Sequence, residues 1–152
     1  MRILLDANLL IRAAITPYGL ARKILHLIEA SQEHVLIVSS HLLSEVADVL
    51  SRPRIQSRWP LSGNEIESYC QYLSAAGEEV KIRQLPPAIS DPKDQPVIEA
   101  AVSGRAEVIC TGDTHFYESP AREFLAACGI AVMTDRDLVT VLGDPGQESR
   151  GS

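Results

Sequence analysis

Short apolar runs recur along this chain with helical patterns between them, and that alternation limits the fold more than any other feature. The runs span residues 2–6, 34–39, 79–83, 108–111 and 130–134, each the length of a buried strand. Helical spacing of apolar residues covers 18–31, 41–51, 65–76, 97–103, 121–127 and 136–142. Several of these segments carry start signals. Ser62, three residues before Glu65, forms a capping-box pattern; Pro120 suits a first helical position; Asp135 precedes the apolar pair Leu138 and Val139. Strands that alternate with helices pair in parallel through right-handed crossovers. The predicted fold is therefore α/β, a three-layer α/β/α sandwich around a five-stranded parallel sheet. It occupies one domain over 1–142, and residues 143–152, rich in Gly, Ser and charge, are expected to form a mobile tail.

Composition narrows the class. A chain of 152 residues with 45% hydrophobic content suffices for one core and not for two ordinary ones. No stretch approaches the roughly 20 apolar residues of a membrane helix, and Asp6 comes too early for a signal peptide, so a cytoplasmic location with no membrane partner is expected. Cys70, Cys110 and Cys128 form no C-x-x-C pair and read as buried thiols. A net charge of -6 argues against broad attraction to polyanions. An acidic protein acting on nucleic acid needs local compensation, from divalent cations or from a run such as Arg52, Arg54 and Arg58, which could equally be a solvated helix end.

The acids are more informative than the bases. Ligands of open parallel sheets bind beyond the carboxyl ends of the strands, where strand order reverses. Asp6 ends the first run and Asp113 follows the fourth, so their carboxylates converge if those strands are neighbours. Glu45 lies beside the apolar stripe of Leu42, Leu43, Val46, Val49 and Leu50, while Asp48 points farther out. Asp94 opens a helix on the side of Val97, Ile98 and Ala101, with Glu99 on the opposite face. Acids bordering an apolar face repel one another and raise each other's pKa unless a cation compensates them. Hard Mg²⁺ or Mn²⁺ suits a site of carboxylates with no His or Cys cluster. Such ions, one or two of them, can activate water and stabilise the leaving oxygen in phosphodiester hydrolysis. Singly, each acid also has a plainer role: Asp6 and Asp94 as helix caps, Glu45 as a solvated residue, Asp113 as a turn residue after Gly112.

In this order the residues resemble the PIN-domain family, particularly bacterial PIN toxins of toxin-antitoxin pairs, the VapC-like ribonucleases. The resemblance runs from Arg2 to about Leu142 and rests on four stretches. These are Ile3-Leu4-Leu5-Asp6-Ala7-Asn8, Ser39-Ser40-His41-Leu42-Leu43-Ser44-Glu45-Val46, Asp91-Pro92-Lys93-Asp94-Gln95-Pro96-Val97, and Thr111-Gly112-Asp113-Thr114-His115-Phe116. It implies strand order 3-2-1-4-5 and a metal-dependent endoribonuclease that binds Mg²⁺ or Mn²⁺ through Asp6, Glu45, Asp94 and Asp113. It also implies an RNA substrate, restraint by a cognate antitoxin, and a homodimer as an allowed state. Asn8 and Thr111 match supporting positions that hydrogen-bond to carboxylates or water. Asp91 either steadies the loop before Asp94 or acts as an outer acid. Family members often carry a further Asp where this chain has His115, a departure that weakens a second metal site more than the first. His115 could assist proton transfer or touch phosphate, and Trp59 could stack a base or cover the core beside Pro60 and Leu61.

Two other classes compete. A catalytically weak PIN-like module would bind RNA or a protein without cutting. A receiver-like phosphoacceptor domain would carry adjacent acids after the first strand and a lysine at the end of the last; here Ala7 follows Asp6, and residues 130–134 contain no lysine.

Overall fold

The computed structural model describes residues 1–143. The expected mobile tail therefore falls, but for Gly143, outside the described residues. Five strands form one parallel sheet of order β3-β2-β1-β4-β5: β1 (Arg2–Leu5), β2 (Val35–Val38), β3 (Glu78–Glu79), β4 (Val108–Cys110) and β5 (Ala131–Met133). Eight helices connect them: α1 (Ala7–Ile15), α2 (Leu20–Ala30), α3 (Ser40–Leu50), α4 (Pro53–Gln56), α5 (Gly63–Ala76), α6 (Gln95–Ser103), α7 (Ala121–Ala127) and α8 (Asp135–Leu142).

The strands divide their side chains between two cores, as the period of two requires. Ile3, Leu5, Leu36, Val38, Val108 and Cys110 face a core shared with α1, α2, α3, α5 and α8. Leu4, Ile37 and Ile109 face a second core closed by Val97, Ile98 and Ala101 of α6 and by Ala121 and Leu125 of α7. The sheet is thus covered on both faces, and its central strands read as unbroken apolar runs for that reason. This is the three-layer α/β/α sandwich expected from the alternation.

Several local expectations differ from the fold. The third strand, expected over 79–83, is a two-residue edge strand at Glu78–Glu79; it pairs with Ile37 and Val38 and then leaves the sheet. Helix α1 has no counterpart in the predicted helices. Its sequence, ANLLIRAAI, buries Leu9, Leu10, Ile11 and Ala13 and shows only Asn8 and Arg12, one turn apart, on its polar side, a short signal directly after an apolar strand. Pro120 precedes its helix as the cap residue, after a cis Ser119-Pro120 bond, and does not stand inside it. Thr134, not Asp135, caps α8, accepting from the Asp137 amide. The Ser62–Glu65 capping box is present with both of its hydrogen bonds. Of the cysteines only Cys110 is buried; Cys70 is half-buried, and Cys128 is exposed where α7 ends at the surface.

Candidate active site

The sheet order makes β1 and β4 neighbours, with Leu5 opposite Cys110 in the register. On its other side β1 pairs with β2, and the chain, having run outward from β1 through β2 to β3, crosses back to place β4 on the opposite side of β1. That is the switch point of an open α/β sheet, and the first residue beyond β1 is Asp6. Its amide donates to the Cys110 carbonyl at 3.1 Å, continuing the ladder one step past the strand. Its carboxylate caps α1, accepting from the Leu9 amide at 3.0 Å.

Asp6 is only 8% exposed, a depth at which a carboxylate requires partners. Besides Leu9, the buried Thr111 hydroxyl donates to Asp6 Oδ2. The same Thr111 oxygen accepts from the Asp113 amide at 3.1 Å, so one hydroxyl ties the two strand-end acids together. Tyr117 fixes the Thr111 backbone by donating to its carbonyl at 2.7 Å. Burial still dominates, and the Asp6 carboxyl is pushed above its ordinary range despite the hydrogen bonds that oppose the shift.

Asp113 stands two residues beyond Thr111, where its carboxylate accepts from the His115 amide at 2.9 Å and opens a 3-10 turn over Thr114–Tyr117. Asp94 enters from the opposite core layer. It ends a 3-10 turn over Pro92–Asp94 and stands at the N-terminus of α6, but its side chain makes no capping bond. Its Oδ2 is buried and has no hydrogen-bond partner. Burial, and after it the neighbouring Asp113 charge, raise the Asp94 carboxyl to about 6. Glu45 comes from the first turns of α3, half-buried beside Leu42 and Val46, while Asp48 is exposed as expected.

These four carboxylates, Asp6, Glu45, Asp94 and Asp113, line one small cavity with Ala7, Asn8, Val97 and Phe116. Its volume is about 50 Å³, room for one or two water-sized occupants. A wider cleft of about 570 Å³ adjoins it, sharing Asp6, Asn8 and Asp113 and running along Ile11, Ile15, Val49 and Ile55. The arrangement is acidic, backed by the apolar Val97 and Phe116, and adjoins a largely apolar groove. Four carboxylates on one cavity suit a hard divalent cation, which would offset both the burial and the Asp113 charge that raise Asp94.

Asn8 reaches the cavity rim but is exposed, and its side chain makes no hydrogen bond among the described residues; of the two supporting side chains expected, Thr111 is the one that bonds to Asp6. Asp91 caps the turn before Asp94 by accepting from the Lys93 amide at 3.0 Å, and one of its oxygens also approaches Asp94 and His115. His115 Nδ1 lies 2.9 Å from Asp113 Oδ1 and 3.8 Å from Asp94 Oδ2. Arg52 pairs with Asp48 at 3.0 Å, Arg58 lies over the half-buried Trp59 ring at 5.1 Å, and Arg54 is exposed on α4. None of the three lines the acidic cavity, although Ile55 between them lines the wider cleft.

Four residues were not legible in the roles they take. Phe116 and Val97 form the apolar wall, which periodicity assigns only to the core. Arg12 lines the wider cleft, 3.7 Å from Asp135, and its charge opposes the rise in the Asp6 pKa. Glu99, expected on the face away from Asp94, is buried; it accepts from the Leu85 amide at 2.7 Å and anchors the segment before Pro86. The Gln95 to Glu99 spacing, one helical turn, was the available signal.

Among known proteins, a family model described as PIN domain matches residues 2–115. A chain in the crystal structure of VapBC2 from Rickettsia felis, bound to a DNA fragment from their promoter, superposes with a TM-score of 0.59. The match covers 88% of this chain and 98% of that one at 13% sequence identity, which makes it a likeness of fold. No curated protein matches the chain in sequence.

Proposed function

This chain belongs to the PIN domain family, and from that premise we propose that it is a metal-dependent endoribonuclease hydrolysing RNA phosphodiester bonds, the toxin of a toxin-antitoxin pair. The observation that carries the reading is the meeting of four carboxylates, from four separate segments, around one small cavity. Among the described residues no Lys or Arg forms an ion pair with any of the four; Asp6 feels the Arg12 charge, and the His115 ring stands beside Asp94 and Asp113. The unpartnered Asp94 Oδ2 and the all-oxygen carboxylate set fit Mg²⁺ or Mn²⁺, one ion or two.

In this reading Asp6, Glu45, Asp94 and Asp113 hold the cation. When bound, it supplies Lewis-acid polarisation of a phosphoryl oxygen and lowers the pKa of water toward neutrality. The chain's own residues do the positioning. Thr111 holds Asp6 and Asp113 in one geometry, the Leu9 amide turns the Asp6 carboxylate toward the cavity, and Phe116 and Val97 keep bulk water from the inner side. Asn8 at the rim, Asp91 and His115 surround the four acids. A single strand could follow the wider cleft along Ile11, Ile15, Val49 and Ile55, and Arg52, Arg54 and Arg58, in the same segment as Ile55, would meet phosphates beyond it.

The partner proposal rests on the resemblance of the site stretches to PIN toxins and on the fold shared with a VapBC2 chain. A cognate antitoxin would restrain the enzyme in the cytoplasm, and the active form is compatible with a homodimer. No helix among the described residues is long and apolar enough to cross a membrane.

Incubation of defined RNAs with the protein, in Mg²⁺, in Mn²⁺ and in chelator, tests the reading. Cleavage that needs metal supports it. Cleavage unaffected by chelator contradicts the mechanism, and RNA binding without cleavage under every metal condition would instead favour a catalytically weak binding module.

A further inference from the structure

Resting on that reading of the acidic cavity, we propose that His115 is itself a cation ligand through Nδ1, giving the site one nitrogen donor and a preference for Mn²⁺ over Mg²⁺. The 3-10 turn that begins after Asp113 carries residue 115 back over the carboxylate two positions earlier. His115 Nδ1 consequently lies 2.9 Å from Asp113 Oδ1 and 3.8 Å from Asp94 Oδ2. Among the described residues, Nδ1 and Asp94 Oδ2 are the two buried side-chain N/O atoms that lack a hydrogen-bond partner.

The close approach to Asp113 is not aligned as a hydrogen bond, although its length would allow one. A ring nitrogen without its proton is an acceptor, as is a carboxylate oxygen, and two acceptors at this distance repel unless a positive centre joins them. A shared cation is such a centre. Ligand atoms about 2.0–2.2 Å from one ion, at right angles, stand about 3 Å apart, which is the spacing of Nδ1 and Asp113 Oδ1. Asp91 approaches as well: one oxygen each of Asp91 and Asp94 lies with a His115 ring nitrogen, these three within 4.8 Å of one another, a group that leaves out Asp113.

The donor type has a consequence for selectivity. Mg²⁺ demands oxygen ligands in a near-ideal octahedron and gives up water reluctantly. Divalent transition ions accept imidazole more readily, and Mn²⁺ tolerates both donor classes. An aspartate at position 115 would add a hard oxygen and an extra negative charge. Histidine removes that charge and shifts the balance away from Mg²⁺.

Pulsed electron paramagnetic resonance of Mn²⁺ bound to the full chain tests the assignment without reference to activity. The native protein should show a directly coordinated ¹⁴N, and labelling its histidines with ¹⁵N should replace that signal with a ¹⁵N coupling. His115→Gln should abolish the coupling, and His115→Asp should lower the ratio of Mn²⁺ to Mg²⁺ affinity several-fold by calorimetry. The His115 side chain is 42% exposed, so both variants should fold, as circular dichroism will verify; the labelled native protein decides the question even if one does not. Tight Mn²⁺ binding with no nitrogen coupling, or a coupling that persists in His115→Gln, overturns the His115 assignment and leaves the carboxylate site standing. No Mn²⁺ binding by the native protein overturns that assignment together with the reading it rests on.

Discussion

The acidic end of the sheet and the arginine segment at 52–58 are both concentrations of charge, and they are built in opposite ways. Each arginine with a visible partner finds it locally. Arg52 pairs with Asp48 one helical turn away, and Arg58 lies over the adjacent Trp59. The acids come from the end of β1, the start of α3, the turn before α6 and the end of β4. They meet one another more than they meet opposite charge: burial raises the Asp6 carboxyl, and burial with Asp113 raises Asp94 to about 6. A fold retains such a conflict at a cost in stability, and perturbed carboxylates gathered in a cleft mark a functional site more reliably than charges already neutralised by neighbours.

The contrast can be broken at either end. The largest effect is predicted for Asp113→Asn, which keeps the shape and hydrogen bonding of the turn but removes a charge that the cation needs. RNA cleavage should fall by about two to three orders of magnitude, the scale of losing one preorganised electrostatic group, with an unchanged circular dichroism spectrum. Rates measured under single-turnover conditions will check this.

Next is Thr111→Val, nearly the same in volume and lacking the hydroxyl. It leaves Asp6 Oδ2 and the Asp113 amide without their shared partner. Cleavage should drop about 10–100-fold, as for loss of a supporting hydrogen bond in a metal site, and stability should fall by about 1–3 kcal/mol. Denaturant unfolding beside the cleavage assay separates the two effects.

A smaller effect concerns pH. Because Asp94 is raised from 3.8 to about 6, the folded protein holds this proton more tightly than the unfolded chain does. Its contribution to stability is therefore complete below about 4 and is lost as pH rises through about 6. In chelator, the melting temperature of the native protein should decline across that window relative to Asp94→Asn, which lacks the titration. Mn²⁺ should diminish or reverse the difference, since cation binding favours the ionised form. Equal pH dependence of the two proteins in chelator would contradict the account of Asp94.

The smallest change is expected from Arg52→Ala. Its ion pair with Asp48 is exposed on both sides, so stability should move by less than about 1 kcal/mol in a denaturant titration. Joint replacement of Arg52, Arg54 and Arg58 should weaken RNA association and flatten its salt dependence, with little effect on the rate at saturating RNA. A loss of saturated rate comparable to that of Asp113→Asn would erase the distinction between the two regions.

Much of this architecture was readable because period and position follow directly from packing. Strands buried on both faces must be apolar throughout, and the central ones were found within a residue or so at each end. The capping box at Ser62 announced α5 through a pattern that involves only four residues. Helix α1 escaped because its polar side is only Asn8 and Arg12, one turn apart, in nine residues that follow directly on an apolar strand. The third strand shrank because it stands at the sheet edge, where pairing with β2 supports only Glu78 and Glu79. Within the site, Asp6 and Asp113 followed from strand ends at a switch point, and Glu45 and Asp94 from helix position and the family resemblance. The single hydroxyl of Thr111 joining two acids, the exposed setting of Asn8 and the burial of Glu99 depend on side-chain directions that spacing does not specify. His115 looked like a departure from the family's acids; its ring nitrogen beside Asp113 and Asp94 is a tertiary fact.

The central claim is that the crowded carboxylates form the cation site of a ribonuclease. Cleavage of a defined RNA in Mn²⁺, by the native protein and by Asp6→Asn at equal concentration, tests it most directly. The account predicts metal-dependent cleavage by the native protein and background cleavage by a folded Asp6→Asn. Undiminished cleavage by Asp6→Asn, or cleavage by either protein in chelator, would contradict it.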